Sequence, residues 1–218
     1  APEEGSYVRG SVSVTVEVSD VNIEVIELYI NGILVATWHA PGRYSCTWDT
    51  TAWPDGTYVL TLHVKDLAGN VYETSAHAIV DNTAPVVESV SHTPEQPVEG
   101  QEVRVEARVH DATSGVARAV LWYRINEGAW TSIDMTYSDG IWIAIIPSQP
   151  AGTKVEYYVE IYDAAGNIAK SDIRSYMITI SKSNILGLEA WQFAAIASGS
   201  AIMSIGVIAL YILRRKRA

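Results

Sequence analysis

The stretch GTYVLTLHVKDLAGN, residues 56–70, decides the fold of this chain. Tyr58, Leu60, Leu62 and Val64 alternate with Val59, Thr61, His63 and Lys65, a period of two that turns one row of side chains to a core and the other to water. Asp66-Leu67-Ala68-Gly69-Asn70 then breaks the alternation with residues that turn a chain. The reading is a half-buried strand closed by a tight turn.

The same grammar extends on both sides. SVSVTVEV (11–18) places Val12, Val14, Val16 and Val18 on one face, and a turn around Asp20 leads into EVIELYI (24–30). Asn31-Gly32, between that run and ILVAT (33–37), is the dipeptide best suited to a two-residue type I′ hairpin. Tyr44 to Trp48 reads as a short strand, WPDG (53–56) as a turn, and Val71 to Val80 as a last strand. Roughly seven short strands with turns every 8 to 12 residues predict an antiparallel sandwich over residues 1–83.

DNTAP (81–85) reads as a short polar link whose proline interrupts any continuous ladder, and a second unit of similar pattern spans 84–183. Val103, Val105, Ala107 and Val109 alternate, and Asp111 follows them as Asp20 followed the first valines. A strand from Val116 to Ile125 turns at Asn126 to Gly128 and returns from Trp130; Asp139-Gly140 makes a hairpin into IWIAIIP (141–147). After the alternating Val155, Tyr157, Val159 and Ile161, DAAGN (163–167) repeats DLAGN (66–70) at four of five positions. Internal duplication follows, and with it an all-β ectodomain of two tandem sandwiches.

WDTTAWPDGTYVLTLHVKDLAGN followed by DNTAP resembles the immunoglobulin-like repeats found in tandem on bacterial and archaeal surface proteins, over most of residues 6–85. GVARAVLWYRINEGAW, YSDGIWIAIIP and GTKVEYYVEIYDAAGN are similar to related immunoglobulin-like or fibronectin type III-like modules of exported proteins. The resemblance implies spacers, stalks and adhesive surfaces, some of them downstream of secreted proteases and glycosidases. It supplies no catalytic residue.

A linker (184–190) leads to WQFAAIASGSAIMSIGVIALYIL (191–213), which holds 23 residues without a charge. At about 1.5 Å per helical residue it reaches roughly 34 Å, enough to cross a hydrocarbon core of about 30 Å. Trp191 and Tyr211 stand near its ends, where aromatic rings prefer the headgroups, and Arg214, Arg215, Lys216 and Arg217 follow in a basic tail, 214–218. One transmembrane helix in the plasma membrane is expected, with the ectodomain outside and the C-terminus cytoplasmic. Small residues recur four apart within it, among them Ala194 with Ser198 and Ala195 with Gly199, which suits either helix association into a homo- or hetero-oligomer or a plain anchor.

The chain of 218 residues carries a net charge of −10. Four of its 15 basic residues form the RRKR tail and all but Glu189 of its 25 acidic residues lie before the linker, which leaves the ectodomain at about −13. Such a surface opposes nucleic acid as a partner. Cys46 is the single cysteine, so no intrachain disulfide forms and the core must hold the fold. The chain starts at Ala1-Pro2, and the expected topology requires either a removed signal peptide or a longer chain upstream.

Two aspartates recur at one pole of each unit, Asp20 with Asp66 and Asp111 with Asp163. Such carboxylates either accept backbone N–H groups in their own turns or, with loop carbonyls, collect a hard cation such as Ca²⁺; no other cofactor is expected, and no DxDxDG loop is present. His39, His63, His77, His92 and His110 are scattered, and no HExxH, GxSxG or Walker A motif occurs. Cys46 falls inside a strand with Tyr44 and Trp48, the setting of an inert thiol. Trp122 and Trp142 suit core filling, whereas Trp53, beside Pro54 in a turn, is the candidate exposed ring for stacking on a sugar or a protein partner.

These residues predict a non-catalytic single-pass surface protein that presents two immunoglobulin-like modules for adhesion, spacing or assembly. Its expected partners are the lipid bilayer and another surface protein, cell-wall or surface-layer component. The alternatives are the C-terminal stalk and anchor of a longer surface enzyme, or an accessory subunit of a membrane complex.

Overall fold

The computed structural model describes residues 2–181, all of whose regular structure is strand apart from one 3-10 turn at Thr50–Ala52. The first unit contains β1 (Ser6–Val8), β2 (Ser11–Val18), β3 (Ile23–Ile30), β4 (Ile33–Trp38), β5 (Gly42–Asp49), β6 (Gly56–Asp66) and β7 (Val71–Val80). One sheet runs β1-β7-β6-β3-β4, with β1 parallel to β7, and β2 pairs β5 in a second sheet. Their facing rows close on Val14, Val16, Leu28, Ile30, Trp48, Tyr58, Leu60, Ala78 and Val80, all buried. The alternation in residues 58–64 therefore marks the core face: Tyr58, Leu60 and Val64 are buried, and Leu62 packs against them.

The second unit contains β8 (Val86–Thr93), β9 (Val103–His110), β10 (Val116–Ile125), β11 (Thr131–Asp134), β12 (Thr136–Ser138), β13 (Ile141–Ile146), β14 (Lys154–Asp163), β15 (Ile168–Lys170) and β16 (Arg174–Met177). A sheet β12-β13-β9-β8 faces a sheet β11-β10-β14-β15, in which β16 also pairs β14. Val103, Val105, Ala107, Leu121, Ile146, Val155, Tyr157, Val159 and Ile161 form the centre of its core.

The hairpin signals hold in detail. Asn31 and Gly32 take φ 45° and 77°, and Ile30 pairs Ile33 across them; Asp139 and Gly140 take φ 52° and 84° between Ser138 and Ile141. Positive φ at both central positions is what a type I′ turn demands and what Asn-Gly and Asp-Gly tolerate.

Trp122 departs from the sequence reading. Leu121 points into the core and is fully buried, so its neighbour Trp122 emerges on the opposite face of β10, stacked on Tyr158 with Nε1 donating to Glu160 Oε2 at 2.8 Å. The period of two puts Ala119, Leu121 and Tyr123 on one face of β10, and that row packs in the core, which leaves Trp122 on the other. Trp142 does pack against the core.

No helix among the described residues is long and apolar enough to cross a membrane. The expected span 191–213, with Trp191, Tyr211, Arg214, Arg215, Lys216 and Arg217, lies outside the described residues.

Candidate functional site

The duplicated pentapeptide builds one turn twice. In the first unit Asp66 N donates to Asn70 O at 3.0 Å, Gly69 N to Asp66 O at 3.1 Å, and Asn70 returns N to Asp66 Oδ1 at 2.8 Å and Nδ2 to Asp66 Oδ2 at 2.6 Å. In the second, the matching bonds join Asp163, Gly166 and Asn167 at 3.2, 3.3, 2.7 and 2.8 Å. Gly69 and Gly166 sit at φ 88° and 89°, a conformation a side chain would strain, which is why the motif keeps glycine there.

Their surroundings differ. Asp66 is partly exposed, and the hydrogen bonds from Asn70 hold its carboxyl below the ordinary carboxylate value. Asp20 is exposed and accepts Asn22 N at 2.8 Å. No group of three metal-ligating side chains among the described residues includes either of them. In the second unit Asp163 is 3% exposed and Asn167 5%, because the end of the first unit lies on the turn. Arg9 Nη1 reaches Asn167 Oδ1 at 3.4 Å, and Asn167 Nδ2 donates to the main-chain carbonyl of Asp81 at 2.9 Å.

The link itself is a packed hub. Asn82 Oδ1 accepts Gly10 N and Thr50 Oγ1, each at 3.0 Å, its Nδ2 donates to Thr50 O at 3.0 Å, and its N donates to Asp55 Oδ1 at 2.8 Å. Asp81, beside it, is fully buried. Its Oδ1 accepts Thr83 N at 3.2 Å and its Oδ2 accepts Ser114 N at 3.1 Å, from the loop after β9. That Ser114 N–H is shared with Asp111 Oδ1 at 2.9 Å, which also accepts Thr113 N at 3.1 Å and Gly115 N at 2.7 Å.

Carboxylate oxygens of Asp81, Asp111 and Asp163 consequently lie within 4.8 Å of one another at the domain junction. Asp111 and Asp163 were legible as a polar pair from their repeated positions; Asp81 was not, because DNTAP read only as a short polar link. The available signal was its place directly after β7, at the point where one sandwich must abut the next.

The other candidate residues sit apart from this cluster. Trp53 is half-buried, edge-on to Trp48 at 6.0 Å and to Tyr58 at 5.3 Å, so its ring lids the first core instead of standing free in its turn. Cys46 is half-buried against the same core, and burial pushes its thiol above the ordinary value. The outer face of β10 and β14 carries a second polar set. Trp122 and Tyr158 stack, Arg124 lies 4.8 Å over Trp130 and Lys170 lies 5.8 Å over Tyr158. Burial raises the Glu160 carboxyl there, but hydrogen bonds from Lys170 and Trp122 outweigh it and hold the group below its ordinary value.

Residues 1–62 match the family described as a bacterial Ig domain, and residues 79–195 match a domain of unknown function (DUF7743). A fragment of titin is similar in fold at a TM-score of 0.58, with 11% identity over 81% of this chain and 62% of that one. The FN1-FN3 domains of chicken CNTN1 align at a TM-score of 0.47 and 14% identity, over 81% of this chain and 66% of theirs. A tetra-tandem repeat from the extending region of a large adhesion protein aligns at 0.39 and 20%, over 77% and 45%. A search of curated proteins finds no match. The titin likeness carries the fold alone, two immunoglobulin-like sandwiches in tandem. With a match that takes in over half of its residues, the chain belongs to the family of the domain of unknown function DUF7743, preceded by a stretch that matches a bacterial Ig domain.

Proposed function

We propose that this chain is a non-catalytic surface protein whose two immunoglobulin-like domains act as an oriented spacer and assembly surface, held at the plasma membrane by residues 191–213. The observation that carries the reading is the closed junction. Asp81, Asn167 and Asp163 are buried in one hydrogen-bonded set that takes donors and acceptors from both domains, so the domains share a fixed orientation instead of swinging on a free linker. An oriented pair of sandwiches suits projection of a binding face away from a membrane. The ectodomain charge of about −13 favours solubility in a crowded exterior and a protein or wall component over nucleic acid as partner.

The test uses cells carrying the full chain with a tag after Ala218. Protease added to intact cells should digest the ectodomain and spare the tag, and capture through the tag from native membranes in mild detergent should retain a surface protein or wall polymer. Loss of the tag on intact cells would reverse the topology. A hydrolytic turnover by the purified full chain would replace the spacer reading with an enzymatic one.

A further inference from the structure

We infer that Asp81, Asp111 and Asp163 form a binding site for one hard divalent cation, calcium by class, that seals the junction between the two domains. The inference stands on the junction alone and goes beyond the proposed surface role, whatever the ectodomain binds.

The three carboxylates come from three separate segments: the end of β7, the loop after β9 and the end of β14. Asp81 is 0% exposed and Asp163 3%, and their oxygens converge with one of Asp111 to within 4.8 Å. Aspartates are almost never buried this far unless paired, and three like charges at this spacing repel strongly in a medium that screens poorly. Among the described residues none of the three makes an ion pair with Lys, Arg or His; Arg9 directs Nη1 to Asn167 Oδ1 instead.

A second observation is independent of the clustering. Both oxygens of Asp81 and both of Asp163 have N–H donors, and Asp111 Oδ1 has three. Asp111 Oδ2 is shut off from solvent and accepts nothing from the protein. A buried carboxylate oxygen without a donor forfeits its hydration with no return, and a cation is the partner that supplies it.

The donor set selects the ion. It contains oxygen alone, with no thiol or imidazole, which disfavours zinc and copper. Calcium holds oxygen ligands at about 2.3–2.6 Å, so opposed ligands stand up to roughly 5 Å apart, a span that takes in three oxygens within 4.8 Å of one another; Mg²⁺ demands near-ideal octahedral geometry and dehydrates reluctantly, which suits it less to an all-protein carboxylate cage. Calcium also accepts irregular coordination completed by main-chain carbonyls and water, as a junction between two domains requires. Asp66 supplies the internal control: it makes the same turn with Asn70 and belongs to no such cluster.

The experiment takes the full chain in mild detergent, stripped with EGTA, and titrates CaCl₂ by calorimetry while thermal melts are followed by tryptophan fluorescence. One saturable calcium per chain is expected, with a melting temperature that keeps climbing with each tenfold rise in calcium above Kd. Asp111→Asn, which keeps an acceptor for the three loop amides, should lose both effects; Asp66→Asn should keep both. In EGTA Asp111→Asn should melt at or above the parent chain, because one of three like charges is gone, and in saturating calcium it should melt below it. Asp81→Asn repeats the test should Asp111→Asn fail to fold. Absence of saturable binding, calcium binding retained in both folded variants, or an equal drop in melting temperature with and without calcium would each overturn the site. Saturable Mg²⁺ binding without Ca²⁺ binding would overturn the choice of ion.

Discussion

The side-chain amide of Asn167 donates to the main-chain carbonyl of Asp81 at 2.9 Å, which ties the turn after β14 in the second domain to the residue that directly follows β7 of the first. The same Nδ2 holds Asp163 Oδ2 at 2.8 Å, so truncation strands two acceptors in a buried setting. Asn167→Ala should cost about 1–3 kcal/mol, the scale of unsatisfied buried polar groups. Asn70→Ala removes the matching bonds at an exposed turn, where water replaces them, and should cost less. Denaturant melts of the two variants in the full chain decide this; equal losses would mean that the junction adds nothing to the turn.

Stability should fall in acid. The carboxyls of Asp66, Glu156 and Glu160 lie below their ordinary values: Asn70 bonds the first, Lys154 and Arg124 bond the second, and for the third Lys170 and Trp122 outweigh a burial that acts the other way. A carboxyl depressed in the folded state stabilises it fully above the unfolded pKa, near 3.8 for Asp and 4.5 for Glu, and that gain is lost as pH drops through the folded value. Melting temperatures between pH 7 and pH 2 should be flat above about pH 5 and descend below it. Glu160→Gln should make the descent shallower, and an unchanged slope would remove Glu160 from the account.

Cys46 should label slowly in the native chain. Its half-buried thiol is raised above 9.0 by desolvation, so little thiolate is present near neutral pH. Reaction with an aromatic disulfide reagent at pH 7.5 should accelerate at least about tenfold on unfolding in guanidinium, since access and ionisation both improve. Equal rates in the two states would contradict the packing of β5.

Trp53→Ala should act first on stability. Its ring meets Trp48 and Tyr58 edge-on over the first core, and its loss should cost about 1–3 kcal/mol, less than the roughly 3–5 kcal/mol of the fully enclosed Trp48→Ala. A Trp53→Ala chain that melts like the parent would return the ring to the exposed role its turn suggested.

The strands and hairpins were legible because their causes are local. Alternation in 11–18, 58–64, 103–109 and 155–161 places every second residue on one face whatever the partner sheet is, and Asn31-Gly32 and Asp139-Gly140 tolerate the positive φ a two-residue turn needs. The repeated Asp…Gly-Asn turn was legible for the same reason, since its bonds close within five residues.

By itself, then, the sequence determined two runs of alternating strands, the duplicated turn and a junction near residues 81–85. Which row entered the core at Leu121-Trp122 was decided by the sheet packed against it, which covers Ala119, Leu121 and Tyr123 and leaves Trp122 to bond Glu160 on the other face. Asp66 and Asp163 are chemically alike and bonded alike within their own turns; tertiary structure alone separated them, by setting Arg9, Asp81 and the Asp111 loop over one and leaving water over the other. The physical reason is that burial and charge convergence are properties of segments brought together from 82 residues apart, between Asp81 and Asp163, and no local pattern carries them.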